Sequence, residues 1–246
     1  MVGRPDWLQL TVGVGVIFTL FDSIARAWGS DRGQHGLAVG LVVITATLAV
    51  DRAFFGSRER PIVTALGLGR PHWRGMLTAA AISGLLLATI PIVALVTGAS
   101  VAVDPHAALL AVGMAMQAGV AEELVFRGFL FGHLRRQRTF WRAAAASLPP
   151  FLVAHLFLFF ALPWPIALTA VALSVVLSFP LAQLYEIGGR TIWAPALVHF
   201  VTQAAVKLVA LTGDTAGAFP LVWMAAAAIV PWLAFVVSRP PHSTDR

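Results

Sequence analysis

Apolar runs long enough to cross a bilayer recur along the whole chain: Trp7–Trp28, Gly36–Phe55, Met76–Thr97, Ala107–Phe131, Trp141–Leu162, Pro165–Tyr185, Thr191–Leu211 and Phe219–Val237. Each approaches the ~20 residues that a helix needs to span the hydrocarbon layer. The connections between them are short and rich in arginine. This pattern predicts an all-α, polytopic transmembrane helical bundle of about eight spans, built as one integral membrane domain over residues 1–246. Within it, residues 1–105 supply N-terminal spans without chemical motifs, 106–212 carry the polar groups, and 213–246 form a last span and tail. No tandem or inverted repeat is visible, and Ser57–Pro61 is the one linker-like stretch.

Composition strengthens the membrane reading. Of 246 residues, 59% are hydrophobic and 11% charged, and the mean hydropathy is +0.83; soluble domains carry about a quarter charged residues. The absence of cysteine removes disulfides, thiolate metal ligands and a cysteine nucleophile together. Trp7–Trp28 has no basic leading segment or small-residue cleavage site, so it reads as a retained span rather than a removed signal.

The net charge of +6 reports on topology. Arg4, Arg52, Arg58, Arg60, Arg70, Arg74, Arg135, Arg136, Arg138, Arg142, Arg190, Arg239 and Arg246 lie on the side shared by the N-terminus and the even-numbered connections. The other side holds little beyond Arg26, Arg32 and Lys207. Such asymmetry predicts cytoplasmic termini and membrane lipid as a partner, with no nucleic acid expected. An arginine-rich, lysine-poor, alanine-rich chain looks bacterial, which points to a bacterial cytoplasmic membrane.

Against this background the polar residues inside spans carry the information. Glu122, Glu123 and Arg127 interrupt the fourth run, where an ionisable residue costs at least ~2.5–3.5 kcal/mol on insertion scales. Glu123 and Arg127 are i, i+4 neighbours suited to an ion pair. Glu122 points about 100° away around an α-helix, which leaves one carboxylate for chemistry; a structural polar knot is the plainer reading of the trio. His155 stands alone in the fifth span after Pro149 and Pro150, and His199 and Gln203 share a face of the seventh. Either feature also suits packing, since an interhelical hydrogen-bond clamp contributes ~0.6–2 kcal/mol.

Depth connects these groups. Glu122 precedes Arg135 by thirteen positions, His155 follows Arg142 by thirteen and His199 follows Arg190 by nine. At ~1.5 Å per residue all three lie roughly 14 to 20 Å from the basic boundary. The expectation is one polar layer between the fourth, fifth and seventh spans, opening toward the cytoplasmic half. His35, His72, His106, His133 and His242 fall near span ends and read as interfacial, and Asp22 and Arg26 as a structural pair.

Three motifs now stand in order: Glu122-Glu123-Leu124-Val125-Phe126-Arg127, Phe151 four residues before His155, and His199 four before Gln203. Together they resemble the CPBP intramembrane protease family, with its E-E-x-x-x-R, F-x-x-x-H and H-x-x-x-N or D patterns, which includes CAAX prenyl endopeptidases and bacteriocin-processing and self-immunity proteins. The resemblance implies an endopeptidase that cleaves a membrane-associated peptide or protein tail arriving from the cytoplasmic side. In that role Glu122 is the general base, His155 holds the water, and His199 and Gln203 stabilise the oxyanion, while Glu123, Arg127 and Phe151 support them. No cofactor is expected; a zinc-dependent variant would use Glu122, His155 and His199 as ligands. Gln203 departs from the family's usual Asn by one methylene, which keeps open a weak or inactive member acting as an immunity or interaction protein.

Overall fold

A computed structural model describes residues 7–28, 35–56, 61–213 and 216–237. The protein is an all-α helical bundle. Its long helices are α1 (Trp7–Trp28), α2 (Gly36–Phe54), α3 (Trp73–Thr97), α4 (Ala107–Arg135), α5 (Phe140–Ala161), α6 (Trp164–Ile187), α7 (Trp193–Leu208) and α8 (Phe219–Val237). All but α7 are long and apolar enough to cross a membrane.

The seventh predicted span is therefore corrected. Helix α7 has 16 residues, and its predicted continuation is instead a strand, β2 (Val209–Thr212), paired antiparallel with β1 (Ser100–Val103). Hydropathy alone does not separate a short buried strand from the end of an apolar helix. Of the other expectations, residues 57–60 of the linker-like stretch, the Arg26 side chain and His242 lie outside the described residues.

Two apolar cores divide the bundle. Leu10, Ile17, Val43, Phe129, Phe131 and Phe151 belong to the first, between α1, α2, α4 and α5. Ile82, Leu86, Leu181, Val198 and Trp223 belong to the second, between α3, α6, α7 and α8. Helix α4 is the central strut, buried at every position from Leu124 to Phe131. It meets α7 closely at Gly119, where an added Cβ would stand 3.2 Å from the Ala196 carbonyl oxygen. The polar residues of α4 and α7 thus face each other across the seam between the cores.

At one end the even-numbered connections interlock. The His72 N–H donates to the Gly188 carbonyl at 3.0 Å, the Ile192 N–H to Gly67 at 2.9 Å, and the Trp193 indole to Gly69 at 2.8 Å. Arg135 pairs with Glu186 at 3.1 Å. These arginine-bearing connections therefore share one face, as their charge pattern predicts. The two-stranded ribbon marks the opposite end.

His133 is not interfacial. It is buried, its Nδ1–H donates to the Phe129 carbonyl at 2.8 Å, and its Nε2 lies 3.2 Å from Asp51 Oδ1. The Phe55 ring covers it at 4.4 Å between centroids. The end of α2 packs over the end of α4 and removes both polar groups from the boundary.

Candidate active site

Helix α4 departs from α geometry at its charged residues. The backbone is π-helical over Ala115–Ala121 and again over Leu124–Phe131, with the Glu122 N–H donating to the Gln117 carbonyl. Single wide turns of this kind often mark functional positions. Here they bring both adjacent carboxylates to one imidazole. Glu123 is fully buried; its Oε1 accepts from Arg127 Nη1 at 3.0 Å and from His199 Nδ1 at 2.6 Å. Arg127, itself buried, sits over the Phe151 ring at 5.7 Å and reaches the Ser178 carbonyl at 3.5 Å.

The predicted Glu123–Arg127 pair is present, and a second partner joins it. His199 lies 76 residues from Glu123, so helical spacing gives no hint of their contact. The result is a buried chain from Arg127 through Glu123 to His199. Removing one member of such a buried pair strands a charge and costs ~3–5 kcal/mol.

The chain also fixes proton positions. A carboxylate that already accepts from arginine draws the His199 Nδ1–H, leaving Nε2 as the acceptor of the neutral ring. Gln203 Nε2 stands 3.4 Å from that nitrogen, in a position to donate to it. Glu122 Oε2 lies 3.8 Å from the same Nε2. Glu122 differs from its neighbour in exposure: its side chain is 21% accessible, against 0% for Glu123.

His155 is oriented from its own helix. Its Nδ1–H donates to the Phe151 carbonyl at 2.8 Å, and the Phe151 and Phe126 rings lie 4.2 and 5.9 Å from its ring. A carbonyl can only accept, so the neutral ring keeps its lone pair on Nε2. The helix breaks just after this residue, ending at His155 before a short continuation, Leu158–Ala161.

Glu122, His155, His199 and Gln203 all line a single cavity of about 780 Å³. Arg127 and Phe151 reach its wall, and so do Gln117 and Thr202, which the sequence did not single out, and Lys207, which it marked only as a topology signal. From the polar layer the cavity runs along Leu158, Ile166, Thr169, Val206 and Leu221. Chain direction puts these residues toward the ribbon end. Among the described residues the lining thus extends from the polar layer toward the ribbon end, whereas the layer's depth predicted an opening toward the arginine-bearing half. Ser147 takes no part; its hydroxyl donates to the Ala144 carbonyl at 2.7 Å.

Among the described residues, no three His, Asp or Glu side chains gather closely enough to hold a metal ion. His199 gives Nδ1 to Glu123 and keeps Nε2 toward Glu122, an orientation that a ligating histidine also adopts.

Residues 104–205 match the family model described as Type II CAAX prenyl endopeptidase Rce1-like. The match contains all three motifs and every residue from Gln117 to Gln203 discussed above, and it agrees with the CPBP and CAAX protease resemblance. No curated protein matches the chain.

Proposed function

We propose that the protein is an integral membrane endopeptidase that hydrolyses a peptide bond with a water molecule activated by Glu122. One observation carries this reading: a single cavity gathers a partly exposed carboxylate, two oriented imidazoles and a carboxamide from three helices. Glu122 takes a proton from the water as its oxygen attacks the substrate carbonyl carbon. His155 Nε2 accepts the water's other hydrogen and aims the lone pair. Charge then develops on the former carbonyl oxygen. Gln203 donates its N–H there, joined by His199 in the imidazolium form, whose Nε2–H replaces the lone pair that Gln203 meets in the neutral ring and whose charge partner is Glu123. Glu122 returns its proton to the leaving nitrogen as the C–N bond breaks, giving a carboxylic acid and an amine, which leave as carboxylate and ammonium once the acid's proton passes to the amine.

The mostly apolar walls beyond the catalytic layer suit a peptide already associated with lipid. Its apolar part occupies the ribbon-end portion of the cavity. Cytoplasmic termini and a bacterial membrane follow from the arginine asymmetry and composition as further parts of this proposal. Purified protein incubated with a membrane-peptide library tests the reading, with Glu122→Ala and chelator controls. Cleavage lost in Glu122→Ala and indifferent to chelator is expected. Cleavage abolished by chelator and restored by zinc would overturn the metal-free mechanism, and a Glu122→Ala variant with the full cellular phenotype would favour an interaction protein.

A further inference from the structure

Gln117 has no role in the chemistry above, yet it occupies an unusual position. Its side chain is 4% exposed and lines the cavity. Among the described residues none forms a hydrogen bond to its carboxamide. Thr47, Ser147 and Thr202, also buried, each donate to a helix carbonyl at 2.7 to 2.8 Å. The Gln117 carboxamide has no such bond, and it is not sealed inside the protein as the unpartnered Ser83 hydroxyl is, so it opens to the cavity with its donor and acceptor available.

The π turn sets its direction. Because the Glu122 N–H bonds to the Gln117 carbonyl, the two residues are one wide turn apart and share a face. Gln117 is on the ribbon-end side of Glu122, the direction in which the cavity lining runs. Side chains lean toward the helix N-terminus, so the Glu122 carboxylate leans toward Gln117 and both address the same stretch of space. Five residues at no more than ~1.5 Å each separate them by at most ~7.5 Å, about two residues of an extended peptide at ~3.3 Å per residue.

We infer that Gln117 is a substrate-binding residue whose carboxamide pairs with a backbone peptide group of the substrate about two residues from the cleaved bond. One amide offers a donor and an acceptor, the complement of a peptide N–H and C=O. This holds the chain extended along α4 and recognises backbone rather than side chain. The inference rests on the hydrolytic reading for the identity of the ligand.

The test is a double-mutant cycle between protein and peptide, using a library peptide and versions N-methylated at single positions on either side of the cleaved bond. With wild-type protein, N-methylation at one position near the cleaved bond is expected to raise KM about tenfold, the effect of one hydrogen bond near 1.4 kcal/mol. Gln117→Leu is expected to raise KM for the unmodified peptide by a similar factor, to leave kcat and the melting temperature unchanged, and to make that N-methylation silent. A purely structural Gln117 would move the melting temperature and leave the N-methyl effect intact, which overturns the inference. If Gln117→Leu does not fold, Gln117→Met carries the same test. Should the wild-type protein cleave nothing, the hydrolytic reading fails, and the cycle is read on binding of fluorescein-labelled peptides. Loss of the N-methyl effect in Gln117→Leu then still supports backbone recognition. Equal affinities, or no binding to the wild type, overturn it.

Discussion

The two apolar cores contribute opposite halves of the site. The core of α1, α2, α4 and α5 carries Glu122 and His155, the groups proposed to hold a water molecule, together with the buried Glu123 and Arg127. The core of α3, α6, α7 and α8 carries His199 and Gln203, the groups proposed to face an oxyanion. The strongest polar contact between the halves is the 2.6 Å bond from His199 to Glu123. Adjacent carboxylates on one helix therefore do different work. Glu123 fastens one half to the other, and Glu122 faces the cavity with its charge available. Burial and partners, not residue type, make the difference.

Glu122→Gln should separate the two tasks most sharply. The substitution keeps shape and removes the base, so turnover is expected to fall by ~10²–10⁴-fold, the range for general base catalysis. Thermal unfolding in detergent should be unchanged, because Glu122 makes no contact with Arg127 of the kind Glu123 makes. Turnover retained by this variant would remove Glu122 from the mechanism. Arg127→Leu should do the reverse in its first effect, lowering stability by ~3–5 kcal/mol through the uncompensated Glu123 carboxylate. An unchanged melting temperature would mean that the buried chain does not hold the halves together.

On the α7 side, Gln203→Leu removes one proposed oxyanion donor and should reduce kcat by ~10²–10³-fold. Gln203→Asn shortens the reach by one methylene. Since Gln203 already meets His199 at 3.4 Å, the extra length is used within the site, and Asn should change kcat by less than about tenfold, as a repositioned rather than a missing donor. Leu equal to wild type would leave His199 alone as the donor. Ala170→Phe, on the apolar wall of α6 that lines the cavity, should raise KM about tenfold with kcat unchanged, the signature of lost uniform binding. A fall in kcat with KM constant would place the substrate elsewhere.

The sequence made the membrane bundle, its helix order and the polar layer that lines the cavity readable, because each leaves a local trace. Long apolar runs report spans, arginines report faces, and i, i+4 spacing reports the Glu123–Arg127 and His199–Gln203 pairs. Three features left no such trace. The Glu123–His199 bond joins residues far apart in the chain. The π turns alter phase without altering hydropathy, which is why Gln117 and Glu122 share a face that a 100° step would not give them. The burial of His133 on Asp51 depends on how two helix ends overlap. In each case the deciding fact is a distance between elements that are individually well read.

The arginine-bearing face offers the gentlest test of whether the halves are aligned by their loops as well as by Glu123. Arg190 has φ +58, a left-handed conformation, directly after Gly189 at φ +78. A non-glycine residue there costs ~1–2 kcal/mol. Its carbonyl sits 3.0 Å from where a Cβ on Gly67 would stand, so the tight turn is set by the interlocking connections. The side chain returns little. It is 59% exposed and 3.8 Å from Glu186, and an exposed pair contributes ~0–1 kcal/mol. Arg190→Gly relieves the backbone while adding glycine's unfolded-state entropy of ~0.5–1 kcal/mol. The balance favours the variant by about 0.5 kcal/mol, a rise of roughly 1 to 2 °C in melting temperature for a chain of this size, with kcat unaltered. A fall in melting temperature would show that the Glu186 contact outweighs the strain. A fall in kcat at constant melting temperature would show instead that this turn sets the position of His199 and Gln203 against Glu122.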